Sequence, residues 1–447
     1  MTTLSFDLSK KGGKIKPMNA VNNGPTDPGV RKVATSFDAY AEACFPYARN
    51  HDASFFVGYG GEHTVDVHRI FKDFSADEND PASYIFEPTD EYLQNIIKAG
   101  TKVFYRLGAS IEHRYKYGTR VPTDMAKWAR ICEHIIRHYN EGWANGFHLG
   151  IEYWEIWNEP DCHNADGSNP CWQGTREQFV DFYAVVSKHL KACFPHLKIG
   201  GPAFMSVWDR DLKAMFLDRV QKDNLPLDFY SYHWYGKSYE RLILAINEAR
   251  TALDRRGLTK TETILDEWNY IRGWAGEDWD YSMATEKNLK GASFVLGAMC
   301  IGQALPLDML MYYDARPCAM NGLFAADTYV PLKPYYSFIA FRDLARLGTA
   351  IPCEHEVGSI YSCAATNGQE SAAVLTYYNE DDTLPAEQVK VDFTGVVGAK
   401  KVLCYVLDED HDLTLTREEI FTADHFSLYL TMPLHSTVMI KIEDTEI

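Results

Sequence analysis

Two short stretches each join an apolar run to a terminal carboxylate, and both are rich in aromatic residues. The first is Tyr153-Trp-Glu-Ile-Trp-Asn-Glu-Pro-Asp161, where Asn158-Glu159 follows the run and Pro160 stops it. The second, Thr263-Ile-Leu-Asp-Glu-Trp-Asn-Tyr270, closes its run with Asp266-Glu267. Two carboxyl groups that face each other suit the cleavage of a glycosidic bond. One protonates the leaving oxygen while the other attacks or supports the anomeric carbon. A single Glu at a strand end is more often a solvated loop residue or an ion-pair partner, but two in matching aromatic contexts favour the chemical reading. Asp161 and Asp266 are the nearest competitors. Alternation along a strand predicts that Asp266 points away from Glu267, and Asp161 lies beyond the proline.

Bringing two such carboxylates together requires strands whose ends converge. Strand-like runs occur at Met18–Val21, Val65–Ile70, Lys102–Leu107, Tyr153–Trp157, Leu197–Gly200, Asp228–His233, Thr263–Glu267 and Met309–Tyr313. Helical periodicity fills the stretches between them, as in Met125, Trp128, Cys132, Ile135 and Tyr139. Further helices are expected near Phe37–Arg49, Asp90–Lys98, Asp209–Gln221, Tyr239–Arg255, Thr285–Gly302 and Tyr336–Leu347. Eight strands alternating with helices predict an α/β fold, a (β/α)8 TIM barrel, over residues 15–347. Strands four and seven stand nearly opposite in such a ring, so Glu159 and Glu267 would meet at its mouth. Glu112-His113 follows the third strand and could line the same mouth. After residue 347 the pattern changes to short alternating β runs, including Ser371–Tyr378, Lys401–Leu407 and Thr437–Ile442. This predicts a C-terminal antiparallel β-sandwich over residues 348–447, with residues 1–14 adding a strand to it.

Composition narrows the partners. With 44 Lys+Arg against 62 Asp+Glu the net charge is −18, which argues against nucleic acid and against an anionic membrane surface. Neither Gly-x-Gly-x-x-Gly nor Gly-x-x-x-x-Gly-Lys-Ser/Thr occurs, so the commonest nucleotide-binding loops are missing. The N-terminal residues lack a basic and then apolar signal pattern, and no run is long enough to span a membrane. Ten cysteines occur without a Cys-x-x-Cys, and the cluster Cys162-His163…Cys171 matches no zinc spacing. Free thiols in a cytoplasmic protein are therefore expected, with no metal and no cofactor. A homo-oligomer is left open.

Trp157-Asn158-Glu159-Pro160 and Leu265-Asp266-Glu267-Trp268-Asn269 resemble the two catalytic motifs of the retaining (β/α)8 glycoside hydrolase clan. Within it, the layout and the opening Lys16-Pro-Met-Asn-Ala-Val-Asn-Asn-Gly-Pro25 most resemble family 39, which includes β-xylosidases and α-L-iduronidases. The resemblance implies Glu159 as acid/base and Glu267 as nucleophile. It also implies Asn158 on the sugar 2-hydroxyl, Tyr235 beside the nucleophile with His233 as its strand partner, and His68 as a sugar contact from strand two. An exo-acting, β-xylosidase-like enzyme using double displacement on short oligosaccharides is thus expected. An α-L-arabinofuranosidase, an iduronidase or a non-catalytic carbohydrate-binding barrel are the alternatives. The eighth strand departs from the clan pattern, with Tyr312-Tyr-Asp-Ala-Arg316 where many members carry a tryptophan.

Overall fold

Runs such as Lys102–Leu107 and Met309–Tyr312 are buried almost throughout, as strands covered on both faces must be. In the computed structural model, which describes residues 1–25, 35–52, 63–110, 118–208, 210–318 and 322–446, eight such strands close a parallel barrel. They are β2 (Ala20–Asn22), β3 (Tyr47–Arg49), β4 (Lys102–Leu107), β5 (Tyr153–Ile156), β6 (Lys198–Phe204), β7 (Phe229–Gly236), β8 (Glu262–Tyr270) and β9 (Met309–Tyr312). Closure comes where Ala20 pairs with Met311 and Val21 with Tyr312. A cluster of Ala20, Phe104, Tyr153, Phe229, Ile264, Met309 and Met311 draws on six of the strands and no helix, so it fills the lumen. Glu112 and His113 lie outside the described residues.

The surrounding helices begin and end on local signals. α1 is Phe37–Ala43, α2 Val67–Ile70, α3 Glu87–Lys98, α4 Met125–Glu141 and α5 Arg176–Cys193. They are followed by α6 (Arg210–Asp223), α7 (Tyr239–Asp254), α8 (Gly276–Thr285), α9 (Leu289–Ala304) and α10 (Lys333–Leu347). Asp124 caps α4 by accepting from the Lys127 amide, and left-handed Gly142 ends it. Thr175 and Gln178 form a reciprocal capping box on α5. Among the described residues, no helix is long and apolar enough to cross a membrane.

Two sequence expectations are corrected at the second strand. The helix expected over Phe37–Arg49 stops at Ala43, where Cys44 turns left-handed with φ 49°. Pro46 cannot continue it, and Tyr47–Arg49 becomes β3 instead. Val65–Ile70, expected as that strand, contains the short helix α2. Arg106 and Ser110 hold the Asp66 carboxylate at 2.6 and 3.0 Å. The Asp66 carbonyl accepts the amides of Arg69 and Ile70, which winds the turn.

Beyond α10 the chain forms two facing sheets. One has the order β10 (Thr349–Ile351), β12 (Ile360–Thr366), β13 (Ser371–Tyr377), β18 (Thr437–Asp444), β15 (Lys400–Leu407), β16 (Asp412–Phe421), with β11 (Glu356–Val357) on β12. The other is β1 (Thr2–Asp7), β14 (Glu387–Thr394), β17 (Phe426–Met432). β1 joins in parallel, from Thr2 opposite Val389 to Asp7 opposite Thr394, whereas the other pairs are antiparallel. Phe6 stacks on Phe393 at 5.5 Å between the sheets.

This second unit is tied to the mouth of the barrel. The Tyr270 hydroxyl, at the end of β8, lies 3.0 Å from both Glu380 oxygens. Lys290 on α9 reaches Glu380 at 3.3 Å and Asp382 at 2.9 Å. Tyr378 donates to the Lys237 carbonyl just past β7, at 2.8 Å.

Phe6 is fully buried. Phe6→Ala should lower unfolding free energy by about 3–5 kcal/mol through lost transfer and cavity terms. Denaturant titration measures this, and a loss below ~1 kcal/mol would show that β1 lies outside the cooperative core.

Candidate active site

Carboxylates collect at the carboxyl ends of β5 and β8, and a bulge explains why there are so many. Between β7 and β8 the register passes from Tyr232 opposite Leu265 directly to His233 opposite Glu267, so Asp266 is an extra residue. A bulge breaks strict alternation. Both Asp266 and Glu267 therefore turn inward onto Arg49 of β3. Its Nε lies 3.1 Å from Asp266 Oδ2, and its Nη1 lies 3.2 Å from Glu267 Oε2. The expectation that Asp266 points away from Glu267 is thus corrected.

Arg49 is fully buried and also binds β5. Its Nε donates to Glu155 Oε2 at 2.7 Å, and Nη2 donates to Asn158 Oδ1 at 2.7 Å. Ser231 donates to the other Glu155 oxygen at 2.7 Å. Burial, with Asp266 adding its charge and Arg49 opposing, pushes Glu155 up to about 8. Burial thus favours the protonated form of Glu155. Asp266 is held below the usual carboxylate range despite burial, because Arg49 and His233 face it.

Glu159 follows β5 on a strained backbone. Trp157 and Glu159 have φ of 81° and 47°, which non-glycine residues adopt at a cost and which concentrate at functional sites. Backbone bonds from Trp157 N to the Leu107 carbonyl and from Glu159 N to the Ala203 carbonyl, both 2.8 Å, fix this turn. Gly108 makes room for it, since a Cβ there would fall 2.9 Å from the Trp157 ring.

His233 links the two glutamates. Its Nδ1 is 2.8 Å from Glu159 Oε1, and its Nε2 is 3.6 Å from Glu267 Oε2 and 3.7 Å from Asp266 Oδ2. Burial opposes its charge, yet Glu267, Asp266 and Glu159 raise its pKa well above the histidine range. The surrounding acids thus favour the protonated ring. Tyr235 donates to Glu267 Oε1 at 2.6 Å. Burial, with Glu159 adding and His233, Arg49 and Tyr235 opposing, pushes Glu267 up to about 7. One donor atom from each of Glu159, His233 and Glu267 lies within 4.8 Å of the other two.

Of the residues singled out in the sequence, Glu159, Glu267, Asn158, His233 and Tyr235 come together here. His68 lies on α2, with its ring against Gly118. The histidine that follows strand two is His51, 3.8 Å from Glu267 Oε2. Burial, together with Arg49, Arg106 and His233, keeps His51 well below the usual histidine pKa. Asp161 is spent on structure, accepting the Met205 amide at 2.7 Å. From the eighth strand, Tyr313 donates to Asp52, and its ring lies 6.2 Å from His51 and 6.5 Å from Tyr235. Arg49, His51 and Glu155 were not foreseen, and Tyr313 was marked only as part of the eighth-strand departure from the clan pattern. An ionisable residue within an otherwise apolar buried run, as Arg49 and Glu155 are, is the signal that could have found two of them.

A model of the family described as glycosyl hydrolases family 39 matches residues 58–285, just over half of the chain and inclusive of both carboxylate motifs. The chain belongs to glycosyl hydrolases family 39. Relatives of this family 39 chain include a β-xylosidase of Geobacillus stearothermophilus, 28% identical over 127 residues, which are 27% of this chain and 23% of the relative. An α-L-iduronidase of Canis lupus familiaris is 26% identical over 236 residues, 49% of this chain and 35% of the relative. The chain thus spans about a quarter to a third of the length of these two relatives. In fold, the whole chain matches the whole of a glucosidase structure from Croceicoccus marinus with TM-score 0.82 at 20% identity. It likewise matches a monomeric β-xylosidase from Caulobacter crescentus with TM-score 0.72 at 17% identity.

Replacing Arg49 tests the electrostatics. Arg49→Met should cost about 3–5 kcal/mol, because buried acids lose their cation. Without it, Glu155, Asp266 and Glu267 hold protons in the folded chain to higher pH than in the unfolded one. Stability then falls as pH rises. Denaturation at about pH 5 and about pH 8 should show a larger deficit at the higher pH, and equal deficits would contradict the assignment.

Proposed function

We propose that this protein is a retaining glycoside hydrolase that releases a terminal sugar, β-xylosidase-like, by double displacement. The observation that carries the reading is that an oxygen of Glu159 lies within 4.8 Å of an oxygen of Glu267, which leaves little room for a water between them. Retaining enzymes hold their carboxyl groups about 5–5.5 Å apart, whereas inverting ones leave about 6.5–9.5 Å for a water.

In this reading Glu267 is the nucleophile. Tyr235 and Arg49 each engage one of its oxygens, which favours the ionised form and aims the carboxylate. Glu159, the acid/base, protonates the leaving oxygen as Glu267 bonds to the anomeric carbon. It then takes a proton from water, whose oxygen displaces Glu267 and restores the configuration. Asn158 has its Oδ1 committed to Arg49, so its Nδ2 is the group that can donate to a sugar 2-hydroxyl. Such a bond strengthens as the ring gains oxocarbenium character. The rings of Tyr235, Tyr313 and His51 gather beside Glu267, which supports a closed pocket for one terminal sugar. The names of the matched relatives make a xyloside the first substrate to try. All ten cysteines are unpaired, which supports a reducing, cytoplasmic setting.

Kinetics separate the roles. Because burial pushes Glu267 up to about 7, kcat/KM should fall as pH drops below that value and the nucleophile protonates. Tyr235→Phe removes a bond to the ionised form, so its acid limb should move to higher pH while kcat falls about 10–100-fold. An unmoved limb would separate Tyr235 from the ionisation of Glu267.

Azide rescue, read by NMR, distinguishes the glutamates. Glu159→Ala should accumulate glycosyl-enzyme on an activated aryl xyloside and give a glycosyl azide of retained configuration. Glu267→Ala should lose turnover and, with azide, give the inverted adduct. The opposite configurations would exchange the roles, and near-normal activity in either variant would sink the mechanism.

A further inference from the structure

The loop after β5 leaves the site at Glu159 and returns beside it, and both limbs carry a thiol. The Cys162 amide donates to the Glu159 carbonyl at 3.0 Å. On the return, Asn169 accepts the amides of Cys171 and Trp172 at 2.8 Å and donates to the Pro160 carbonyl at 2.7 Å. Trp157 Nε1 donates to the Cys171 carbonyl at 2.9 Å. The loop is therefore braced so that Cys171 Sγ lies 3.9 Å from Glu159 Oε2. One donor atom from each of Glu159, Cys162 and Cys171 lies within 4.8 Å of the other two. Cys171 is buried and Cys162 half-buried, and neither is in a disulfide.

A tetrahedral zinc ion with Zn–S of about 2.3 Å and Zn–O of about 2.0–2.2 Å separates its ligand atoms by roughly 3.5–3.8 Å. The Cys171–Glu159 separation of 3.9 Å is near that spacing, and Cys162 offers a third ligand atom within 4.8 Å of both. Two thiols with one carboxylate prefer zinc or cadmium over magnesium or calcium. We propose that Glu159, Cys162 and Cys171 form a binding site for a thiophilic divalent cation, whose occupancy withdraws Glu159 from proton transfer and switches hydrolysis off. The fourth position would be taken by water on the half-buried Cys162 side. The alternative group Glu159, His233 and Glu267 is equally close. There, however, no thiol is offered and His233 Nδ1 is already committed to Glu159 Oε1 at 2.8 Å, so a thiophilic cation favours the sulfur-bearing group. Asp161 does not compete, being bound to the amides of Met205 and Ser206.

The inhibitory half of this proposal rests on Glu159 as acid/base, whereas the binding half does not. The test therefore reads both, on the full chain freed of metal. Added Cd2+ should produce a thiolate-to-cadmium absorption band that saturates at about one ion per chain. Hydrolysis of an aryl β-xyloside should fall about tenfold or more with Cd2+ or Zn2+ and recover with a chelator. Mg2+ and Ca2+ at the same concentration should leave turnover unchanged. Cys162→Ser should keep metal-free turnover while losing the band and most of the inhibition. Absence of the band in the native chain overturns the site, whether or not the chain hydrolyses xylosides. A band without inhibition overturns the switch. Undiminished inhibition in Cys162→Ser overturns the proposal by placing the cation on His233 and Glu267. Equal inhibition of the native chain by Mg2+ does so without any variant.

Discussion

The buried guanidinium of Arg49 governs this molecule's site. A fully desolvated cation is tolerated only when acids surround it closely and its donors are satisfied. Arg49 meets that condition with Glu155, Asp266, Glu267 and Asn158, drawn from β5, β8 and the turn after β5. Each of those acids in turn needs a countercharge or a proton. Asp266 and Glu267 also face His233, whose protonated form they favour, while burial favours the protonated form of Glu155 beneath them. The proposed nucleophile is thus positioned by a charge balance that spans the ring, and disturbing any member changes the ionisation of the others.

The same balance accounts for the bulge. A regular β8 would aim only one of Asp266 and Glu267 at Arg49, and the other would face the hydrophobic shell between strands and helices. One extra residue directs both acids inward. Below them the lumen holds Phe104, Tyr153, Phe229, Ile264 and three neighbours in one apolar cluster. The barrel is therefore divided along its axis into an apolar plug at the amino end and a charged layer at the carboxyl end. This division puts chemistry where the βα loops begin.

Patterns in the sequence disclosed the barrel, its second unit and the two carboxylate motifs, because each is written in contiguous residues. β4 was legible to the residue, since Val103-Phe-Tyr105 and Leu107 make a compact β-prone run between the turn at Gly100 and Gly108, which the single charge of Arg106 does not break. β3 was not, because it has only three residues and one is a charge that reads as solvent-exposed until its acids are known. For the same reason the second strand was read at Val65–Ile70, with the true strand absorbed into an expected helix up to Arg49. β16 was missed because Asp412–Phe421 is an edge strand with a single buried residue, Leu413. The inward turn of Asp266 was hidden too, as bulges depend on pairing between strands and leave no mark in one strand alone.

The bonds from Glu380 and Asp382 to Tyr270 and Lys290 make the two units mechanically one. Tyr270 stands three positions along the same strand from Glu267, so the sandwich clamps the strand that carries this glutamate. A barrel shortened at residue 347 would expose that strand end and leave the ammonium of Lys290 without its acids. Exchange of the sandwich for another module would also have to reproduce those contacts. For anyone recombining such proteins, the boundary that looks natural in the chain is a poor place to cut, and the two units are best inherited together.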